Sequence, residues 1–439
     1  MSMTETTSGA SVGYSAEELR ELDLAHVLHP HATVGRAPEP FIVDSAQGAL
    51  LRDVHGNTYI DGTCGLWQCA VGHGRAELAE VAAEQMRKLE FYASFWHFSN
   101  PPAIELATRL TELAPSGMDT VFFTNGGSEG IETAVKLVRL AWYAQGQPER
   151  TVILSRQGAY HGVGSASLAA TGLPAFHQGF GPLTPGFVHL SKPHGKRLAG
   201  DKADATDVLV DELERTIAEI GPERIAAFVG EPLLGVGGMV PPPAGYWERV
   251  QQVLRKHGIL LIADEIVTAF GRLGYWFGCE RYGIEPDVVV TAKGLSSGYV
   301  PMGAVLIDNG VKGMLDGTPF RHGFTYNGHP VGAAVSLANI ELIESEGLLE
   351  RARTLGARIL AGLRLLEADD AVFEVRGEGM AFGVELNVDD ATPVADAARD
   401  EGVLVRAAGS TIVMSPPLVL TDAQADALVA GVTKAVRSL

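Results

Sequence analysis

Cysteine is scarce. The 439-residue chain holds three, Cys64, Cys69 and Cys279, which is too few for a disulfide framework and fits a reducing compartment. Cys64 and Cys69 could be half of a zinc site, but no second Cys/His pair stands at ligand spacing. His26, His29 and His31 lie close together with no acid or cysteine to complete a set, so no metal is expected. An excess of basic residues is also missing. Lys and Arg number 34 against 53 Asp and Glu, a net charge of −19, which argues against nucleic acid and anionic membranes as partners. No stretch of 18 uncharged apolar residues occurs, so no membrane span is expected. Residues 1 to 13, rich in Ser, Thr and Gly, have no apolar core and do not read as a secretory signal; residues 1–15 are expected to be a flexible tail. Internal repeats and low-complexity segments are absent. The cytoplasm is the expected location.

What is present is a large apolar fraction, 46%, enough for a sizeable core in two large domains or about three average ones. Ile259-Leu260-Leu261-Ile262-Ala263 runs into Asp264-Glu265 without polar alternation. Val288-Val289-Val290 likewise runs toward Lys293. Short unbroken apolar runs of this kind read as strands buried on both faces, as in parallel sheets. Ligands of open α/β sheets bind outside the carboxyl ends of the strands, so an acid and a lysine delivered there suggest chemistry. Pyridoxal phosphate needs such a pair. A lysine amine forms a Schiff base with it, and a carboxylate keeps its pyridine nitrogen protonated. Out of water, the lysine amine drops in pKa and becomes a nucleophile.

Taken in order, Ala16 to Leu28 reads as a helix with Ser15 as N-cap and Glu18 completing a capping box. Phe41 to Ile60 reads as short strands broken at Asp53–Asn57. Helices are expected at Glu77–Leu89 and Ala103–Leu113, and a strand at Thr120–Phe123. The loop Asn125-Gly126-Gly127-Ser128-Glu129-Gly130 then opens a helix to about Tyr143, an arrangement suited to anions. Thr151–Leu154 is a strand followed by Tyr160-His161-Gly162. Thr171–Asp207 reads as a long excursion with little periodicity. Arg224–Val229 is a strand followed by Glu231, and a helix from Tyr246 returns to the Ile259 strand in a right-handed βαβ unit. Five strands thus end in conspicuous polar groups: Asn125 to Ser128, Tyr160, Glu231, Asp264 and Lys293. Past Gly332 come helices at Gly332–Glu344 and Leu348–Leu366 and strands at Val372–Val375, Met380–Leu386, Val403–Arg406 and Ile412–Met414. A last helix, Asp422–Ser438, follows Thr421 as N-cap. This mixed order suggests a smaller α+β domain.

The stretches Asp61–Trp67, Asn125–Gly130, Tyr160–Gly162, Gly230–Pro232, Asp264–Gly271, Lys293–Gly303 and Thr325–Pro330 together resemble those of class III aminotransferases, pyridoxal-phosphate enzymes of fold type I, and among them the ω-amino acid and amine:pyruvate type. The resemblance implies a large domain (65–328) with a mostly parallel seven-stranded sheet flanked by helices. A small α+β domain (329–439) and an N-terminal segment (16–64) joining it complete the chain. It implies that Lys293 carries the cofactor and shuttles protons, and that Asp264 pairs with the pyridinium. Gly127 and Ser128 would hold the phosphate, Tyr160 and Ile266 the two ring faces, and Glu231 would help fix the ring. Thr325 would reach the phosphate from the neighbouring subunit, which implies a homodimer with shared sites, a tetramer being left open. Trp67, with Phe95 and Trp96 of the partner, would line the substrate pocket together with Tyr160. Arg406, ahead of Ser415-Pro416-Pro417, would bind the keto-acid carboxylate and swing aside for an amine. Ala269 and Asn327 depart from the usual glycine and serine and move none of these roles.

The activity implied is ping-pong transfer from a primary amine or ω-amino acid to a carbonyl acceptor such as pyruvate, through pyridoxamine phosphate. Other members of the class, acting on 4-aminobutyrate or diaminopelargonate or in a specialised biosynthesis, are the alternative. Two other function classes remain. Gly126–Gly130 also matches the Gly-x-Ser-x-Gly elbow of a serine hydrolase, with Ser128 as nucleophile, Asp264 or Asp287 as acid and His322 or His329 as base; that leaves Lys293 unexplained. A binding protein that had lost catalysis would not need both Lys293 and Asp264.

Overall fold

The computed structural model describes residues 13–35, 39–199 and 205–439; most of the expected tail, residues 1–12, lies outside them. Helix Ala16–His26 begins as its sequence requires. Ser15 Oγ accepts from the Glu18 amide at 3.2 Å, and the Glu18 carboxylate accepts from the Ser15 amide at 2.7 Å. Strands β1 (Val43–Gln47), β2 (Leu50–Asp53) and β3 (Thr58–Asp61) then form an antiparallel meander. The β2–β3 turn is closed by Asp53, whose Oδ1 accepts from the His55 and Asn57 amides at 2.9 and 2.8 Å, the usual reason for an acid at that position.

The central sheet has seven strands: β4 (Met118–Thr124), β5 (Val152–Arg156), β6 (Phe187–Leu190), β7 (Ile225–Gly230), β8 (Leu260–Asp264), β9 (Val288–Thr291) and β10 (Gly303–Asp308), in the order β4-β10-β9-β8-β7-β5-β6. Neighbours from β9 to β6 are parallel, and β10 runs against both β4 and β9. The unbroken apolar runs have a direct cause. Val288 and Val290 face one apolar layer and Val289 the other; Ile262 and Leu261 divide the same way. With both faces covered, the alternating strand has no polar side to show.

Thr171–Asp207 is no unbroken excursion among its described residues: it contains β6 and short helices at Pro174–His177 and Gly195–Ala199. A four-residue edge strand is too short to print a period. Strand β10 and helix Ala205–Ile220 were not anticipated either.

The C-terminal part builds a second sheet from β11 (Val372–Glu378), β12 (Ala381–Leu386), β14 (Arg406–Ala408) and β15 (Thr411–Met414), ordered β11-β12-β15-β14 and antiparallel throughout. Between them β13 (Val403–Leu404) pairs in parallel with β3. The expected single strand Val403–Arg406 is therefore two strands in different sheets. Val403 is buried beneath helix Asp422–Val436, where a Cβ on Gly431 would come within 2.7 Å of it. Past Val405, the chain pairs instead with β15. That helix carries the expected Thr421 cap, with Thr421 Oγ1 accepting from the Gln424 amide at 3.2 Å. Helix Leu348–Arg364 packs on that helix and on β11, whereas helix Pro330–Ser345 packs mainly on helices Ala76–Lys88 and Pro101–Leu113. No described helix is long and apolar enough to cross a membrane.

Candidate active site

Strands β4, β5, β7, β8 and β9 point the same way, so their carboxyl ends meet at one edge. A cavity of about 150 Å³ opens there, and Gly127, Ser128, Tyr160, Glu231, Asp264, Ile266 and Lys293 all line it. The register explains the central pair. Asp264 is the Cα partner of Val290 on the neighbouring strand, and Lys293 lies three residues past that point, just beyond the strand's end. The next residue of the acidic pair turns away. Glu265 is wholly buried and accepts from the Gly278 and Cys279 amides at 2.9 and 2.6 Å, where it caps helix Gly278–Tyr282; burial pushes its pKa up. Of the two adjacent acids, only Asp264 faces the cavity.

Lys293 sits just past β9 with φ at 38°, a left-handed conformation that costs a non-glycine residue energy and is common at functional sites. Burial pushes its amine pKa down; Asp264 and then Glu231 oppose that, and Arg406 adds to it. Asp264 is held from two sides. Its Oδ2 lies 2.6 Å from His161 Nδ1, and its Oδ1 accepts from the Ile266 amide at 3.1 Å. Glu231 accepts from the Tyr160 amide at 3.2 Å and the Gly235 amide at 2.7 Å. Burial raises its pKa, with Asp264 adding to the rise. The buried guanidinium of Arg156 donates to the Glu231 carbonyl at 2.6 Å, and so secures the end of β7.

Helix Gly127–Ala144 starts at the cavity, presenting its amino-terminal backbone N–H groups and positive dipole end there. The first-turn acid does not block it, because the Glu129 carboxylate folds back to accept from the Asn125 amide and side chain at 2.8 and 2.9 Å. The wall is tight. A Cβ on Gly127 would come within 2.6 Å of Ile266 Cδ1, and one on Gly162, whose φ is +127°, within 2.5 Å of Ser128 Oγ. Any side chain at either position would displace the wall.

Two further anticipated residues flank this cavity. The Trp67 ring is buried, with the Lys293 amine and the Arg406 guanidinium each 5.6 Å from its centre. Burial lowers the Arg406 pKa while Tyr160 raises it, and among the described residues no carboxylate forms an ion pair with Arg406. Thr325, Phe95 and Trp96 are not brought to this cavity. Phe95 and Trp96 line a separate concavity with Ser94, Arg321 and Asn327. Trp96 is 87% exposed, and Thr325 is exposed as well.

The hydrolase arrangement does not assemble. Ser128 Oγ accepts from the Val163 amide at 3.3 Å. His322 bonds instead to Thr133 Oγ1 at 2.9 Å, and His329 lies against Phe91 and Tyr326. Conversely, His161 and Gly162 belong to the cavity yet received no role in advance. Their signal was modest: a histidine and a glycine directly after the tyrosine at a strand end.

A family model described as aminotransferase class-III matches residues 32–436. Putrescine–pyruvate aminotransferase of Pseudomonas aeruginosa is 41% identical over 404 residues, covering 88% of each chain. Gamma aminobutyrate transaminase 3 of Solanum lycopersicum is 39% identical over 425 residues, covering 91% of this chain and 81% of that one. Among solved structures, an (S)-enantioselective omega-transaminase from Thermomicrobium roseum superposes with a TM-score of 0.94 at 44% identity, over 97% of this chain and 99% of that one. An omega transaminase from Pseudomonas jessenii in complex with PMP gives 0.93 at 38% identity, over 96% and 98%.

Proposed function

The chain belongs to the class III aminotransferases, and from that premise we propose that it moves an amino group from a primary amine or ω-amino acid to a keto acid, pyruvate or a close analogue, with pyridoxal 5′-phosphate as cofactor. The observation that carries this reading is the convergence of the Lys293 amine and the Asp264 carboxylate on one cavity, beside a helix amino terminus. The residues suit the cofactor: a desolvated amine, an oriented carboxylate and an anion cradle that two glycines keep open. When bound, it supplies an electrophilic carbonyl and a protonated ring that takes up the electron pair released at the substrate carbon.

The chain's own residues do the rest. The Lys293 amine, its pKa lowered by burial, would hold the cofactor and serve as the base that takes and returns the proton at the substrate carbon. Asp264 would hold the ring nitrogen, and its 2.6 Å contact with His161 orients the carboxylate for that task. Gly127 and Ser128 would hold the phosphate, Tyr160 and Ile266 would flank the ring, and Glu231, which accepts from the Gly235 amide, would help fix it. Trp67 closes the substrate side, and Arg406 takes the carboxylate of the keto acid.

The reading extends to a cytoplasmic homodimer in which Phe95, Trp96 and Thr325 complete the partner's site. It is supported by the exposure of Trp96 and Thr325 away from their own chain's cavity. It also divides the chain at about residues 65 and 329, in keeping with the β13–β3 pairing that ties residues 16–64 to the C-terminal part. A 4-aminobutyrate, diaminopelargonate or other biosynthetic enzyme is the second reading, favoured by the same guanidinium, which can accept a carboxylate on the donor as well.

The test is spectroscopic and then chemical. The purified protein should show a visible absorption band that borohydride removes, with the added mass on Lys293. Diamines, simple amines and 4-aminobutyrate should then be compared against pyruvate as separate half-reactions. A protein without that band, or reduced at another lysine, overturns the assignment.

A further inference from the structure

Arg376 is a long cation on β11, yet only 6% of it is exposed, and the mechanism above makes no use of it. It lies in one row across the C-terminal sheet. Arg376 is the Cα partner of Gly383, Gly383 of Val413, and Val413 of Arg406. Directly opposed residues share a sheet face, so Arg376 and Arg406 stand on the same face with Gly383 and Val413 between them. Gly383 leaves a gap that backbone fills: a Cβ there would come within 2.5 Å of the Gly238 carbonyl oxygen. Arg376 grips that carbonyl with Nε at 3.0 Å, and its Nη2 reaches Thr411 Oγ1, on the strand paired with β14, at 3.4 Å.

The gripped loop leads back to the cavity. Gly235 donates to Glu231, Val236 lines the cavity, and the Gly237 carbonyl accepts from Lys192 at 2.7 Å. The fork itself is locked by acids. Arg376 Nη1 donates to Glu385 at 2.5 Å and to Glu374 at 2.9 Å, and Glu385 also meets His194 at 2.9 Å. His194, Glu374 and Glu385 have ligand atoms within 4.8 Å of one another, but both acids already pair with Arg376, and Glu385 with Arg197 as well, so this is an ionic clamp and not a metal site.

We propose that Arg376 is a positioning residue for acceptor specificity, one that fixes the Gly235–Gly238 loop against the sheet face carrying Arg406 and so sets where Arg406 meets the substrate carboxylate. This rests on the reading of Arg406 given above. A planar fork can serve Gly238, Thr411 and the two acids together, which a lysine ammonium cannot.

The experiment uses the cofactor-loaded enzyme with Arg376→Met, Arg376→Lys and Thr411→Val, and Arg406→Ala as reference. Pyruvate is compared with an aldehyde of similar size that lacks the carboxylate. Both Arg376 variants should cut the preference for pyruvate about tenfold, mostly through KM, while the half-reaction with an uncharged amine changes less than about twofold. Hydrogen exchange should speed up at residues 235–240 and 406–411. Thr411→Val, which cuts one link and preserves shape, should show the same direction at smaller size. Rescue by lysine, equal losses in both half-reactions, or unchanged exchange at these two segments overturns the proposal. If Arg406→Ala collapses the preference and the Arg376 variants keep it, this inference alone fails. If Arg406→Ala keeps it, the role of Arg406 fails and this inference falls with it.

Discussion

Replacing Arg406 by alanine should separate the two halves of the reaction. The guanidinium lies 5.6 Å from the Trp67 ring centre, and among the described residues it has no carboxylate partner. Its resting contacts are therefore weak, on the order of 0.5–1 kcal/mol for a cation over an aromatic face. A substrate carboxylate offers more: a hydrogen bond to a charged group contributes about 1.5–3 kcal/mol. Each ~1.4 kcal/mol is a factor of ten, so kcat/KM for pyruvate should fall roughly ten- to a hundredfold. The lower end is expected, because Arg406 is half-buried and water screens part of the attraction. An amine donor without a carboxylate never makes that bond, and its half-reaction should change by less than about twofold. Stopped-flow spectra of the two half-reactions, recorded separately, read both numbers. Equal losses in both, or none in either, would refute the reasoning and leave the carboxylate without a partner.

Lys293→Ala should abolish turnover and the borohydride-reducible band while leaving the melting temperature within a few degrees, since it removes a desolvated amine beyond the end of β9 and leaves the strand itself intact; retained activity would contradict its role. A chain carrying Lys293→Ala mixed with one carrying Thr325→Val should recover activity in heterodimers that contain one intact site, whereas a fully active monomer in sedimentation would exclude site sharing. At the opposite edge of the sheet, burial and then the charge of Asp308 push Asp287 up to about 6 from 3.8, while the Leu261 amide donates to it at 2.6 Å. The folded state binds that proton more tightly than the unfolded chain, so stability is lost as pH rises through this window and the cost is complete above it. Asp287→Asn should therefore raise the melting point at pH 8, by the equivalent of up to about 3 kcal/mol, and do little at pH 3.5; a gain independent of pH would disprove the linkage.

The meeting of Lys293 and Asp264 in one cavity was legible because the strands that carry them are buried on both faces. A strand such as β8 has no polar side, so its apolar run and the acid ending it stand out from any neighbouring sequence. Arg406 had no such frame and was reached only through resemblance; its two-strand setting, broken at Val405, reads as one continuous run in the sequence. His161 was harder still. Its partner Asp264 is 103 residues away, and a histidine carries no mark of the contact it will make. Arg376 received no reading from the sequence: Glu385, the acid buried with it, lies on the next strand, and only the strand pairing brings the two together.

The placement of these groups also divides rigidity from adjustment. Lys293 and Asp264 are delivered by interior strands of the seven-stranded sheet, each paired on both sides, so moving either would disturb a packed core from two directions. Arg406 stands on β14, a three-residue edge strand paired on one side only. Proton transfer demands fixed geometry within fractions of an ångström, and interior strands supply it. Recognition of the second substrate demands that a charge be present for one partner and harmless for the other, because an unpaired buried charge costs several kcal/mol. An edge strand can yield where an interior strand cannot. Substitutions around β14 and the loop it faces should therefore alter which acceptor is preferred, and those around β8 and β9 should alter whether the reaction proceeds at all.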